Sequence, residues 1–149
     1  WCQQMIAESL GKKNLGFLPV ISNAPKDHHS LLQLYLDGPK DKIFNIFSLK
    51  SKFNETINTT KLIKEKNFLN KKKLDEIKNA QKNALIKILF KKSTPFREFK
   101  IIKTNEEVLG RLFSYFMIET VIVGRLLGID PFNQPAVEQI KIYTKQLLK

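Results

Sequence analysis

Cysteine is all but missing from this chain. Cys2 stands alone, so no disulfide can close within it, and a reducing, cytoplasmic setting is expected. Arginine is scarce as well. The formal net charge of +12 suggests a nucleic-acid partner, because basic chains neutralise phosphates and release counterions. Yet only Arg97, Arg111 and Arg125 stand among the 26 basic residues, and bidentate recognition of bases and phosphates falls mainly to arginine. Lys, Asn and Ile are plentiful together, the mark of a general compositional bias, so no nucleic-acid partner is expected. Long apolar runs are absent too. The most apolar stretch, Val108 to Ile129, is interrupted by Arg111, Glu119 and Arg125. It reads as a buried helix rather than a bilayer helix, and no membrane partner is expected. No basic region followed by an apolar run marks a secretion signal. The sequons Asn54-Glu-Thr and Asn58-Thr-Thr are then chance matches in an Asn-rich chain. The two histidines are neighbours, point in different directions and lack a Cys/His cluster around them, so no metal site is expected. Neither a Ser-His-Asp order, a phosphate-cradling glycine loop nor a metalloprotease motif is present.

What remains is enough for one domain with a core: 149 residues, 42% of them hydrophobic. The first residue, Trp1, falls inside a helical pattern, which suggests a piece of a longer protein that lacks its N-terminal part. A helix over 1–10 is closed by Gly11, with Lys12 and Lys13 at its negative end. Gly16 to Asn23 reads as a short buried strand, although Pro19 is awkward in a central one. His29 to Leu36 reads as a helix stopped by Asp37-Gly38-Pro39. Lys42 to Leu49 reads as a second strand, followed by a polar loop over 51–60. From about Asn70 to Phe90 a Lys-rich amphipathic helix is expected, with Leu74, Ile77, Ala80, Ala84, Leu85 and Ile88 as its apolar stripe and Lys71-Lys72-Lys73 in solvent. Pro95 breaks the chain and Phe99 to Lys103 reads as a third strand. Thr104 and Glu107 form a candidate capping box for a long helix that is apolar nearly all round, as a central buried helix would be. Gly128 ends that helix, and Pro135 opens a final one over 135–148, where its missing N–H costs nothing.

Strands alternating with helices indicate an α/β fold, a three-layer sandwich with a mostly parallel sheet flanked by helices. Three strands are few for such a domain, in keeping with an N-terminally truncated piece.

Three sets of polar residues stand out. Gln4 and Glu8 are spaced i, i+4 and share one helix face, although an exposed polar face is the plainer reading. Gln134 and Lys141 lie seven residues apart, two turns of helix, so both could address one polar ligand, or simply decorate a capped surface helix. His28-His29-Ser30 opens the second helix, where one imidazole could serve as a helix-start hydrogen-bonding group.

Four segments together resemble the phosphoglucose isomerase (glucose-6-phosphate isomerase) family, in the same order along the chain. They are 1–12 with Ala7-Glu8-Ser9-Leu10-Gly11-Lys12, 26–39 with Lys26-Asp-His-His-Ser-Leu-Leu-Gln33, more weakly 79–92 around Asn79-Ala80-Gln81, and 104–148 with Phe132-Asn-Gln-Pro-Ala-Val-Glu-Gln-Ile-Lys141, so the resemblance covers most of the chain. The resemblance implies the C-terminal sugar-isomerase domain, spanning 1–149, of a two-domain enzyme that interconverts glucose 6-phosphate and fructose 6-phosphate without metal or organic cofactor. It implies that Glu8 is the base that moves a proton between C2 and C1 through a cis-enediol(ate). His29 and Lys141 would support ring opening, and Gln4 and Gln134 would contact the sugar phosphate. It further implies a homodimer in which His29 acts in the neighbouring subunit's site. A Ser/Thr-rich phosphate loop and an arginine that steadies the intermediate belong to the family's other domain and have no match here. A competing reading is a sugar-phosphate-binding regulatory domain of the same fold that has lost catalysis. Retention of Glu8, His29 and Lys141 together argues against it.

Overall fold

The computed structural model describes residues 1–50, 55–59 and 67–149. Half of the loop expected over 51–60, and part of each sequon, lie outside the described residues. The chain is α/β, with helices and a small parallel sheet. It divides into two compact units: Trp1–Ile21 together with Asn105–Lys149, and Ser22–Thr104.

In the first unit, α1 (Cys2–Leu10) packs on α4 (Glu106–Leu126), and α5 (Pro135–Leu147) follows. Leu10 at the end of α1 is buried, and on α4 the buried positions are Phe116, Thr120 and Gly124, one turn apart on a single line. Trp1 stacks obliquely on Phe113 with ring centroids 4.5 Å apart. The expectation that α4 is buried all round is corrected. Ile118 is 60% exposed, Ile122 53% and Leu126 81%, because within this unit α1 covers one stripe of an apolar cylinder. The N-cap of α4 is Asn105, not Thr104: its side chain accepts the Val108 N–H at 3.1 Å, and Asn is the stronger capping residue.

The expected strand over Gly16–Asn23 does not form; the segment is irregular apart from an isolated bridge between Lys12 and Leu15 just before it. Gly16 takes φ +119, a left-handed conformation that interrupts extended chain, and a Cβ there would fall 2.6 Å from the Leu10 carbonyl oxygen. Pro19 offers no N–H, and its carbonyl is taken by the Gln3 side chain at 2.8 Å.

The second unit is built on a β-α-β arrangement: β1 (Phe44–Leu49), α3 (Leu74–Lys91) and β2 (Phe96–Ile101), with the strands parallel and Phe44 opposite Phe96. The third expected strand thus starts three residues earlier than Phe99, directly after Pro95, whose missing N–H suits a strand start. Phe47 and Phe99 stack across the pair at 5.0 Å. Before the sheet, a 3-10 turn over Lys26–His28 and the short helix α2 (Leu32–Asp37) replace the single helix expected from His29. The Asp37-Gly38 stop is where the sequence places it, with the Gly38 N–H bonded to the Leu34 carbonyl.

The inner face of α3 is rotated from the expected stripe. Leu89 is fully buried, with Lys82 and Ile86 half-buried beside it; of the expected stripe Ile77 and Leu85 are half-buried too, while Leu74, Ala80, Ala84 and Ile88 are exposed. Lys82 explains the rotation, since its ammonium reaches Glu98 of β2 at 2.8 Å. Ser48 of β1 donates to the same carboxylate at 3.2 Å and Lys100 stands 3.4 Å away. The hydrogen bond from Lys82 above all holds the Glu98 carboxyl below its usual pKa range, against the opposing effect of burial.

Candidate functional site

Glu8 lies on the last full turn of α1, half-buried, one turn after Gln4. The i, i+4 spacing brings the Gln4 amide nitrogen to 3.1 Å from the Glu8 Oε1, to which it donates. The other oxygen, Oε2, accepts from the Gln134 amide at 3.0 Å. This second contact spans most of the chain, and a chain of local interactions brings it about.

It begins where α4 stops. Gly128 adopts φ +67, and its N–H bonds the Arg125 carbonyl while the Ile129 N–H bonds that of Gly124. The two bonds make a Schellman ending, and the buried Ile129 supplies its usual apolar anchor. The chain then folds back on α4. Pro131 is buried against Gly124, so closely that a Cβ on that glycine would meet the proline ring at 3.1–3.4 Å. Asp130 shapes the turn by accepting the Phe132 N–H at 3.0 Å and the Asn133 side-chain amide at 2.9 Å. Gln134 emerges from it as the N-cap of α5, with Pro135 at the first helical position.

Lys12 fastens this turn to α1. Its ammonium donates to the Ser9 carbonyl at 2.8 Å, satisfying a C-terminal orphan of α1, and to the Asp130 carbonyl at 2.7 Å. Lys13 reaches toward the Gly128 carbonyl at 3.5 Å. Gln4, Glu8 and Gln134 therefore form one cluster, held by backbone geometry on both sides.

Lys141 takes no part in these contacts. Two turns into α5, Lys141 pairs with Glu138 at 2.7 Å, and both side chains are mostly solvent-exposed. His29 belongs to the second unit; it is exposed and follows the 3-10 turn, its N–H bonded to the Lys26 carbonyl at 3.2 Å. It caps no helix start, since α2 begins at Leu32. The neighbouring His28 lines a cleft of about 510 Å³ in the second unit with Leu32, Leu36, Ile88 and Lys92.

Sequence reasoning singled out Gln4, Glu8 and Gln134 but missed three residues that position them: Gly124, Asp130 and, beyond a role at the helix end, Lys12. Only the Asp130-Pro131 pair carried a local signal, as a turn former. Chemically, the cluster presents a carboxylate with a neutral amide donor on each oxygen. Each oxygen keeps further lone-pair capacity, so the group can still accept a proton. Among the described residues no group of three or more His, Cys, Asp and Glu is placed to hold a metal ion, and no helix is long and apolar enough to cross a membrane.

No protein-family model matches the chain. Individual relatives do. It is 36% identical over 150 residues to glucose-6-phosphate isomerase of Methanocaldococcus jannaschii, covering all of this chain and 37% of that one. The glucose-6-phosphate isomerase of Campylobacter jejuni is 34% identical over 153 residues, covering 99% of this chain and 38% of that protein. That of Mycoplasmopsis synoviae is 35% identical over 149 residues, covering 95% and 34%. The fold is matched by a solved structure, a hypothetical protein of Thermus thermophilus, with a TM-score of 0.87 at 26% identity over 99% of this chain and 37% of that one. Along its whole length the chain is thus a relative of glucose-6-phosphate isomerase, spanning a little over a third of the length of its relatives.

Proposed function

We propose that these residues form the C-terminal catalytic half of an aldose-ketose isomerase that interconverts glucose 6-phosphate and fructose 6-phosphate. The observation that carries the reading is the Glu8 carboxylate, placed by two elements far apart in sequence and contacted by Gln4 and Gln134, in a chain whose relatives bear that enzyme's name. In the proposed reaction the sugar ring opens with help from His29 and Lys141. Glu8 then takes the C2 proton and returns it to C1 through a cis-enediol(ate). One carboxylate suffices for both transfers because the two carbons are adjacent. Lys141 would exchange Glu138 for a sugar oxygen, and Gln4 and Gln134 would orient the sugar phosphate through neutral hydrogen bonds.

The reading extends to the whole protein. His29 would serve the site of a neighbouring subunit in a cytoplasmic homodimer, and the small parallel sheet would be part of a three-layer sandwich completed by further strands. A second sugar-isomerase domain would supply charge-assisted phosphate contacts through the Ser/Thr-rich loop and the arginine that have no match in this sequence. The 149 residues alone are then expected to be nearly inactive. The test is a coupled assay for conversion of fructose 6-phosphate to glucose 6-phosphate. It should show turnover in the full-length protein and little in the 149-residue chain; full turnover by the shorter chain would overturn the division of labour.

A further inference from the structure

We propose that Gln4 and Gln134 act first as positioning residues for Glu8, a two-amide clamp that fixes the orientation of the carboxylate before a ligand arrives. This rests on the isomerase reading and adds to it a role distinct from ligand contact. The two amides approach different oxygens, Gln4 donating to Oε1 at 3.1 Å and Gln134 to Oε2 at 3.0 Å. One donor would leave the carboxylate free to rotate about its last torsion; two donors from separate helices define its plane. A terminal carboxylate torsion is otherwise broad, and proton abstraction is sensitive to misplacement on the ångström scale.

The clamp is supported on both sides. Gln4 is fixed to Glu8 by helix spacing. Gln134 sits at the exit of a turn that is pressed on α4 at Gly124 and Pro131 and tied to α1 by Lys12. Both contacts have the amide as donor and the carboxylate as acceptor, the form in which Glu8 can act as a base. They also leave it usable. A carboxylate offers about four lone-pair positions, of which the amides occupy one on each oxygen. Each glutamine keeps a second N–H and its carbonyl for the sugar phosphate, so clamping and ligand contact are compatible.

The role separates from simple ligand binding in kinetics. A residue that only contacts the ligand lowers affinity, whereas one that aims the base lowers the chemical step. In the full-length protein, Gln134→Leu is expected to reduce kcat and exchange of the glucose 6-phosphate C2 proton with solvent about tenfold or more, in addition to the severalfold rise in KM that a lost neutral ligand contact brings. Gln134→Glu, nearly the same shape, sets a second carboxylate against Glu8 and is expected to reduce both rates further, which keeps the test sound if the leucine variant folds poorly. A rise in KM with kcat unchanged in both variants would overturn the clamp. The contact itself is read in the 149-residue chain by the side-chain amide resonances of Gln4 and Gln134. Both are expected to move when Glu8 is replaced by alanine, and unchanged resonances would also overturn it. A full-length wild type without isomerase turnover would instead overturn the functional reading, and the amide resonances tell that failure from failure of the clamp.

Discussion

The Lys12 ammonium lies 2.7 Å from the carbonyl oxygen of Asp130, a residue 118 positions away, and this contact joins the helix bearing Glu8 to the turn that delivers Gln134. Because Lys12 also takes the Ser9 carbonyl, a single cation completes the end of α1 and anchors the turn. Replacing it with methionine keeps the stem and removes the donor. The expected loss is about 1.5 kcal/mol of stability, the low end for a charged hydrogen bond because the contact is partly exposed, together with a lower kcat in the full-length protein. Urea unfolding and steady-state kinetics of Lys12→Met measure the two effects.

Two glycines of α4 should respond to alanine with opposite sign. Nothing lies within 4 Å of a Cβ added at Gly110, so Gly110→Ala should stabilise by about 1 kcal/mol through helix propensity and chain entropy. At Gly124 the added carbon meets the buried Pro131 ring at 3.1–3.4 Å. That ring is braced by the Schellman ending before it and the Asp130 turn around it. Overpacking of about 1–3 kcal/mol then outweighs the propensity gain, and Gly124→Ala should unfold at lower denaturant. Equal shifts in the two variants would mean that the turn yields.

The second unit offers a pH test. The Lys82 hydrogen bond lowers the folded-state pKa of Glu98 below its unfolded value. Its contribution to stability is therefore complete above the unfolded pKa of about 4.3 and is lost as pH falls through the folded value. Lys82→Met should remove that part of the acid dependence and leave neutral-to-alkaline behaviour without a new slope. Unfolding curves of wild type and variant between about pH 2 and 7 make the comparison.

Leu89 is the fully buried apolar side chain of this unit among the described residues. Leu89→Ala should cost about 2–5 kcal/mol, while Ile88→Ala next to it, where the side chain is exposed, should cost well under half of that. Thermal or denaturant unfolding of both decides whether the inner face of α3 is the one described.

Much of this was legible locally. Gly128 and Pro135 bracket the turn before α5 because a left-handed residue and a missing N–H each have one favourable place. The Gln4–Glu8 contact follows from helix spacing alone. The strand expected at Gly16–Asn23 failed on backbone grounds, at Gly16 and Pro19. The stripe of α3 was misread because Lys82, counted as a solvent residue, faces inward to meet Glu98. The face of α4 was misread because an all-round apolar helix does not say which of its sides a given neighbour covers. The Glu8–Gln134 contact lay beyond sequence reasoning for a different reason. It depends on how closely Pro131 can approach α4, and that depends on a glycine, Gly124, with no local signal of its own.

The most direct measurement is the rate at which the C2 proton of glucose 6-phosphate exchanges with solvent in the full-length protein, wild type against Glu8→Gln. The substitution preserves the shape of the side chain while removing the base. The account predicts exchange and turnover in the wild type, and a loss of at least about a hundredfold in the variant, as expected for a missing general base, with substrate still bound. Exchange at the wild-type rate in Glu8→Gln would contradict it.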